Sequence, residues 1–337
     1  MRGSIVRCVL LALVGTGIAA CSGEAFHYLE SDPLGAAPPD GGGGFPPLET
    51  HSTSTDETSS SAGGSGGGSS DAGPAQETPP PSTQPATPCG VARSADAELA
   101  DDEVCVRAGT FDMGSAAAPS SGYFAQGPVH SVTLSAFFLD AFEVTVARYR
   151  RCVEAGACVA PSTTAAQGCT YTSSPADHEQ HPITCVPWTS ASDFCDWDGG
   201  RSLPTEAQWE QAARNASGSK YPWGDAFSCD RAVLAGASQC TQYGGTLPQP
   251  VGSARAGASP ERAFDLVGNA AEWVADWFGS YPSSAVTNPT GPATGGSRIQ
   301  RGGSWLTLAA DATSYARRGE SPAAIGPYSF RCARAAE

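Results

Sequence analysis

Twelve cysteines are the residues of this chain with the widest scope for chemistry, because a thiolate can act as a nucleophile, a metal ligand or half of a disulfide. No Cys-x-x-Cys pair occurs, so the spacing does not favour a zinc cluster. Cys8 and Cys21 lie near the start of the chain, and the other ten form an even set. In an exported protein, an even set predicts five disulfides and no free thiol.

Proximity along the chain suggests four of the five pairs, although the sequence leaves the connectivity open. These are Cys89 with Cys105, Cys152 with Cys158, Cys169 with Cys185, and Cys229 with Cys240. The remaining two cysteines, Cys195 and Cys332, would tie the middle of the domain to its last strand. Closing so long a loop would stabilise the fold by roughly 4 to 5 kcal/mol in the chain-entropy model.

His178, Glu179 and His181 are the densest group of other potential metal ligands. Two histidines three residues apart in a proline-bounded loop do not match the helical facial triad that holds non-haem iron. We therefore do not predict a metal site at this loop.

The first twenty-one residues read as an export signal, with Arg2 and Arg7 at the start, a short apolar core at 9–20, and small residues before Cys21. The sequence Ile-Ala-Ala-Cys that ends at Cys21 resembles a bacterial lipobox. It predicts acylation of Cys21, with the membrane as a partner through the lipid anchor and a location in the bacterial cell envelope, at the outer membrane or the periplasmic face. Plain secretion after cleavage is the alternative.

Residues 22–100 are rich in Gly, Ser, Thr and Pro and have few aromatics, so we predict a disordered tether there and a folded domain at 101–337. The chain carries a net charge of −15 and has no run of Lys or Arg in the domain. Nucleic acid is therefore not an expected partner.

The predicted elements of the domain are short and mixed, which indicates an α+β fold. Thr145 is a candidate N-cap, and Thr205 with Gln208 forms a capping box at the start of another helix. The predicted helices cover 146–154, 191–197 and the segment after Thr205. The predicted strands cover 104–108, 272–277, 298–301 and 328–333, with a hairpin or meander over 132–142.

A succession of motifs in this domain carries a family resemblance. The strongest are GRSLPTEAQWE at 200–210, YPWG at 221–224, VGNAAEW at 267–273, RGGSW at 301–305 and FRC at 330–332. In this order they resemble the formylglycine-generating (sulfatase-modifying factor) family. The resemblance implies a C-type-lectin-related α+β fold with little regular secondary structure, stapled by disulfides.

The resemblance also implies where catalysis would occur. The family's oxidases hold copper(I) between two cysteines, and their positions correspond here to Thr307 and Ala312. Neither residue offers the soft thiolate that selects copper(I). Cys195 and Cys332 match the family's structural disulfide. We therefore expect no catalytic residue of the family type and no copper.

Two further sites are implied by the resemblance. One is a structural calcium site formed by Asp265, the carbonyls of Gly268 and Ala270, and Glu272; alternatively, Asp265 caps a turn and Glu272 pairs with an arginine. The other is the vacated substrate cleft, where Ala271 replaces a common aromatic. Its expected flanking residues are Ser304, Trp305, Arg317, Arg318 and Glu320.

Two functions remain open from the sequence. The first is a non-catalytic envelope domain that binds a peptide, a glycan or a partner protein in that cleft. The alternative is an oxidoreductase, of the formylglycine-generating type or another, acting on a protein or a secondary metabolite.

Overall fold

The structure is a computed structural model. It describes residues 89, 103–117, 126–161, 168–174, 178–214, 218–235 and 247–336. The chain divides into two compact units, Met1–Ala75 and Gln76–Glu337, and every described residue belongs to the second. The predicted signal, Cys21 and all of the predicted tether except Cys89 lie outside the described residues. Within the described ranges, no helix combines the length and apolarity needed to cross a bilayer.

The described residues form three α-helices: α1 at Val146–Glu154, α2 at Trp188–Trp197 and α3 at Glu206–Arg214. Helix α1 has the predicted N-cap, because the Thr145 hydroxyl accepts the Arg148 backbone N–H. Helix α3 has the predicted capping box, in which Thr205 and Gln208 each donate a backbone N–H to the other's side chain. Helix α2 begins earlier than expected. The Trp188 indole there donates to the Val274 carbonyl at 2.8 Å, a tertiary contact.

Two of the three sheets have three strands. In one, β1 at Glu103–Val106 and β10 at Ala333–Ala335 both pair antiparallel with β4 at Phe137–Asp140. In the other, β2 at Gly109–Met113 pairs antiparallel and β6 at Val286–Thr287 parallel with β3 at His130–Leu134. The predicted hairpin over 132–142 is therefore wrong, because β3 and β4 belong to different sheets. The backbone of Ser135 between them donates to the Asn288 side chain instead.

The third sheet has the strand order β8-β7-β5-β9, formed by Arg317–Glu320, Arg298–Arg301, Ala271–Trp277 and Tyr328–Phe330. Strand β8 escaped prediction because its sequence, RRGE, has no alternation of apolar residues. The predicted strand 328–333 is two strands in different sheets. The break lies at Arg331 and Cys332, which are held by a buried ion pair and a disulfide.

The two faces of this four-stranded sheet have different surroundings. Glu272 pairs in register with Arg301, and Arg301 with Arg317, so these side chains share the face covered by α3. Gln300 and Arg318 are also paired in register, one residue away in each strand, and therefore point to the opposite face. The groove described below lies on that second face.

Disulfides staple this scaffold in pairings that the sequence suggested. Those present are Cys89–Cys105, Cys152–Cys158, Cys169–Cys185 and Cys195–Cys332. The predicted Cys229–Cys240 pair involves Cys240, which lies outside the described residues. The α+β fold with little regular structure and several disulfides is confirmed.

Candidate functional site

An open groove of about 410 Å³, part of which is continuous with solvent, lies on the second face of the four-stranded sheet. The sheet supplies its floor, and two loops, at 302–307 and before β9, supply its sides. The lining side chains include Ala271, Gln300, Ser304, Thr307, Arg318 and Tyr328.

The two positions that would carry copper thiolates have different surroundings in the structure. Thr307 lines the groove, and its hydroxyl accepts the Ser304 backbone N–H at 2.9 Å. Ala312 is fully buried in an apolar cluster with Tyr221 and Val267. Neither a hydroxyl that already closes a turn nor a buried methyl group is a ligand for a soft metal.

The cysteines do not supply an alternative thiolate pair. All nine cysteines within the described ranges are disulfide-bonded. Cys332, which follows β9, is joined to Cys195 of α2. The described residues therefore do not fit copper(I).

The structure brings only some of the predicted cleft residues to the groove. Ser304 and Arg318 line it. Arg317 and Trp305 are not among the residues that line it. Arg317 points to the α3 face, where Glu206 holds it, and Trp305 packs with Val233 and against Gly168. The structure therefore places both residues outside this groove, unlike the expectation from the resemblance.

Gln300 and Tyr328 are groove residues that the sequence did not single out. Gln300 is 4% exposed, and its amide nitrogen has no hydrogen-bond partner. The position of Gln300 directly before the RGGSW motif is the sequence feature that could have identified it. Placing Gln300 in the groove would also have required knowing that Arg301 faces away from the groove, and this depends on the pairing of strand β7.

Beneath the groove, the other face of the sheet is locked to α3 by a buried ionic network. Glu206 accepts hydrogen bonds from Arg317, Arg301 and Tyr281, and Arg301 also donates to Glu210 at 2.5 Å. Asp276 accepts the Glu206 backbone N–H at 2.8 Å, at the start of α3. Such a network fixes the backbone that carries the groove.

Asp276 is a carboxyl with an unusual protonation equilibrium in this network. Burial, followed by the nearby Glu206 carboxylate, raises the pKa of Asp276 to about 7. The Arg317 and Arg301 guanidinium groups act in the opposite direction and offset only part of this shift.

The residues of the predicted calcium site lie in a second buried cluster. Both oxygens of Glu272 accept hydrogen bonds from Arg331 at 2.7 Å, and one also accepts the Trp209 indole N–H. A bound guanidinium is a fixed positive charge, so Glu272 does not fit a calcium ligand in this arrangement. Its pairing with an arginine is the alternative that the sequence had left open.

The charge of this cluster nevertheless favours a cation near Asp265. Three buried carboxylates, Glu143, Asp265 and Glu272, face one arginine, Arg331. Burial, with the Asp265 and Glu272 charges, raises the pKa of Glu143 well above its usual range. Burial also raises the pKa of Asp265 to about 6. With all three carboxyls ionised, the cluster would carry two excess negative charges, which either protonation of Glu143 and Asp265 or a bound divalent cation would offset.

The histidine loop remains a pair rather than a cluster. The rings of His178 and His181 lie 4.9 Å apart, whereas Glu179 is ion-paired with Arg150 at 2.8 Å. In the part of the chain that the structure describes, no three His, Cys, Asp or Glu side chains are grouped so that they could hold a metal ion.

Similarity to known proteins extends over the domain described above. The family model of the sulfatase-modifying factor enzyme 1-like domain matches residues 89–336. The formylglycine-generating enzyme of Thermomonospora curvata is 30% identical over 302 residues, which cover 72% of this chain and 96% of that enzyme. Serine/threonine-protein kinase pkn1 of Chlamydia pneumoniae is 32% identical over 248 residues, and the match spans 68% of this chain but only 37% of the kinase.

Among solved structures, PvdO from Pseudomonas aeruginosa superposes with a TM-score of 0.59 at 24% identity, covering 74% of this chain and 99% of PvdO. At that identity the likeness shows the fold alone. The family match, by contrast, includes the groove, helix α3 and both buried ionic clusters. This chain therefore belongs to the sulfatase-modifying factor enzyme 1-like family.

Proposed function

We propose that this chain is a non-catalytic member of its family that binds a peptide, a glycan or a partner protein in the groove. The observation that carries the proposal is the absence of a thiolate pair among the described residues: Thr307 in the groove and the buried Ala312 occupy the two positions, and every described cysteine is oxidised. Copper(I) held by two thiolates would bring oxygen and a substrate thiol together, and a hydroxyl and a methyl group cannot replace it.

The groove keeps features that suit binding. It is open to solvent, its floor is held rigid by the network around Glu206, and Ala271 leaves room that an aromatic side chain would fill. A rigid floor reduces the entropy lost when a ligand is ordered. Loss of the thiolates therefore removes the chemistry without removing the recognition surface.

A copper(I) titration of the purified chain, with its disulfides intact, tests this proposal. We expect no stoichiometric copper(I) site and no change in the mass of a cysteine-containing peptide incubated with the chain and oxygen. The Thermomonospora curvata relative, treated identically, is the positive control. A tight copper(I) site in this chain, or a modified peptide, would favour the oxidoreductase alternative.

The proposal also includes the location. We place the domain in the bacterial envelope, anchored by acylation of Cys21, because an apolar core and small residues precede that cysteine. We expect a labelled fatty acid to be incorporated into the wild type and into Cys8→Ser, and to be lost in Cys21→Ser. Labelling that persists in Cys21→Ser would refute the anchor.

We further propose one structural calcium ion, held by Asp265 and the carbonyls of Gly268 and Ala270. The charge imbalance of the cluster supports it. In this proposal Glu272 contributes its charge while it remains paired with Arg331.

A further inference from the structure

Arg318 and Gln300 form a pair of neighbouring donors on the groove face. They lie directly opposite each other on the antiparallel strands β8 and β7. Residues in this relation have Cβ atoms about 5 Å apart and share one face of the sheet. A guanidinium and a primary amide are therefore placed side by side.

Arg318 has spare capacity to bind a ligand. Its side chain is 50% exposed, and its one ion pair among the described residues is a 3.6 Å approach to Glu320, too long for a good hydrogen bond. The buried arginines Arg301, Arg317 and Arg331 each donate several hydrogen bonds instead. Arg318 thus differs from them in having its donors unused.

Gln300 adds an unsatisfied donor to the floor. Its amide nitrogen is shielded from solvent and has no hydrogen-bond partner. The Tyr328 phenol is close enough to interact with Gln300, and this contact opposes the burial that raises the pKa of the phenol. A buried donor without an acceptor is unfavourable, so an acceptor that reaches it gains affinity.

We infer that the groove recognises a carboxylate on an extended peptide, with Arg318 as the group that the ligand meets first and Gln300 as the second donor. This inference rests on the proposed binding function. A carboxylate is the ligand with two coplanar acceptor oxygens, which match two adjacent N–H donors and a positive charge.

Exposed aliphatic residues that neighbour groove-lining residues in the chain favour a peptide with aliphatic side chains beside the carboxylate. Leu306 and Leu308 flank Thr307, and Ile325 precedes Pro327, in the loops that line the groove. These three are 51% to 58% exposed and are most of the exposed large apolar side chains among the described residues. Exposed apolar side chains around a polar centre are typical of an interaction surface.

Glu320 competes with this ligand for Arg318. It approaches Arg318, and the Tyr328 hydroxyl donates to it at 3.4 Å. A bound carboxylate must therefore displace Glu320 from Arg318. Removing the charge of Glu320 should strengthen an anionic ligand and weaken a cationic one, which makes this residue the sharpest test of the inference.

The experiment begins with selection of a random-peptide display library on the immobilised full chain. Calorimetry then measures the enriched peptides against wild type and variants. We expect enriched peptides with an Asp or Glu beside aliphatic residues, and an affinity loss of about tenfold or more when that acid is replaced by its amide. The same peptides with a free or an amidated C-terminus show whether the carboxylate comes from a side chain or from the chain end.

The variants separate the inference from the proposed function. We expect Arg318→Gln to lose about tenfold or more in affinity, Glu320→Gln to gain several-fold, and Arg255→Gln, an exposed arginine elsewhere, to change little. Ala271→Trp, which places a bulky indole in the space beside Ala271 that the ligand would occupy, should block binding altogether.

Two outcomes would overturn these conclusions differently. In the first, Ala271→Trp blocks peptide binding, but Arg318→Gln leaves the affinity unchanged or Glu320→Gln lowers it. The groove then binds peptides without recognising a carboxylate, and the inference is refuted. If Ala271→Trp blocks no selected peptide, the groove does not bind peptides, and the proposed function fails together with the inference.

Discussion

Arg317 holds Glu206 through two hydrogen bonds of 2.8 Å, from Nε to Oε1 and from Nη2 to Oε2, and both side chains are almost completely buried. The next residue, Arg318, points to the other side of the same sheet and is half exposed. Because side chains alternate along a strand, adjacent arginines have separate roles: Arg317 fixes helix α3 to the sheet, and Arg318 faces the groove.

This division predicts that substitutions of the two arginines have unequal effects on stability. Arg317→Gln removes one of the positive charges that compensate the buried Glu206 carboxylate. We therefore expect a loss of about 3 kcal/mol in the free energy of unfolding. Arg318→Gln should change it by less than about 0.5 kcal/mol. Urea unfolding followed by tryptophan fluorescence measures both. Equal effects of the two substitutions would contradict the assignment of the two faces.

Asp276 predicts a dependence of stability on pH. Its pKa is about 7 in the folded protein against 3.8 for an ordinary aspartate, so between these values the folded state binds more protons than the unfolded state. The free energy of unfolding should therefore fall as the pH rises from about 4 to about 7, by up to about 4 kcal/mol from this residue.

Asp276→Asn isolates that contribution, because the amide oxygen can still accept the Glu206 backbone N–H. We expect the variant to lose less stability than wild type across this pH range, and Glu154→Gln, an exposed carboxyl, to follow wild type. Melting temperatures at closely spaced pH values provide the comparison. Parallel curves for wild type and Asp276→Asn would count against the raised pKa.

Calcium is tested by chelation. An ion bound only to the folded state at a hundredfold excess over its Kd stabilises by about 2.7 kcal/mol, so a chelator should lower the melting temperature by roughly 5 to 10 °C. Asp265→Asn should abolish this response. The control variant Asp225→Asn, which changes an exposed carboxyl elsewhere, should retain it. Substitution of Glu272 is a poor test because it also strands Arg331. A melting curve that chelation leaves unchanged would refute the site.

The disulfides should differ in their contribution according to the length of chain they close. Cys195–Cys332 spans 137 residues and Cys152–Cys158 spans 6. In the chain-entropy model, replacing both cysteines by alanine costs about 5 kcal/mol for the first pair and about 2 kcal/mol for the second. Chemical denaturation of the two double variants measures the difference. Similar losses would show that strain or local packing outweighs loop entropy here.

The sequence by itself determined the family, the α+β class and the helices α1 and α3, and it suggested the local cysteine pairs. These depend on contacts between residues close in the chain or on motifs in a fixed order. Thr145 and Thr205 cap their helices through backbone groups three residues away, so their roles can be read without knowing the rest of the fold.

Only the tertiary structure decided which charged residues are free. Arg317 and Arg318 are indistinguishable in the sequence, and β8 has no apolar pattern to predict its faces. The pairing of Glu272 with Arg331, 59 residues away, likewise reassigned a predicted calcium ligand to an ion pair. The reason is physical: whether a charge is buried and satisfied depends on strand register and on partners distant in the chain, and neither is encoded in local spacing.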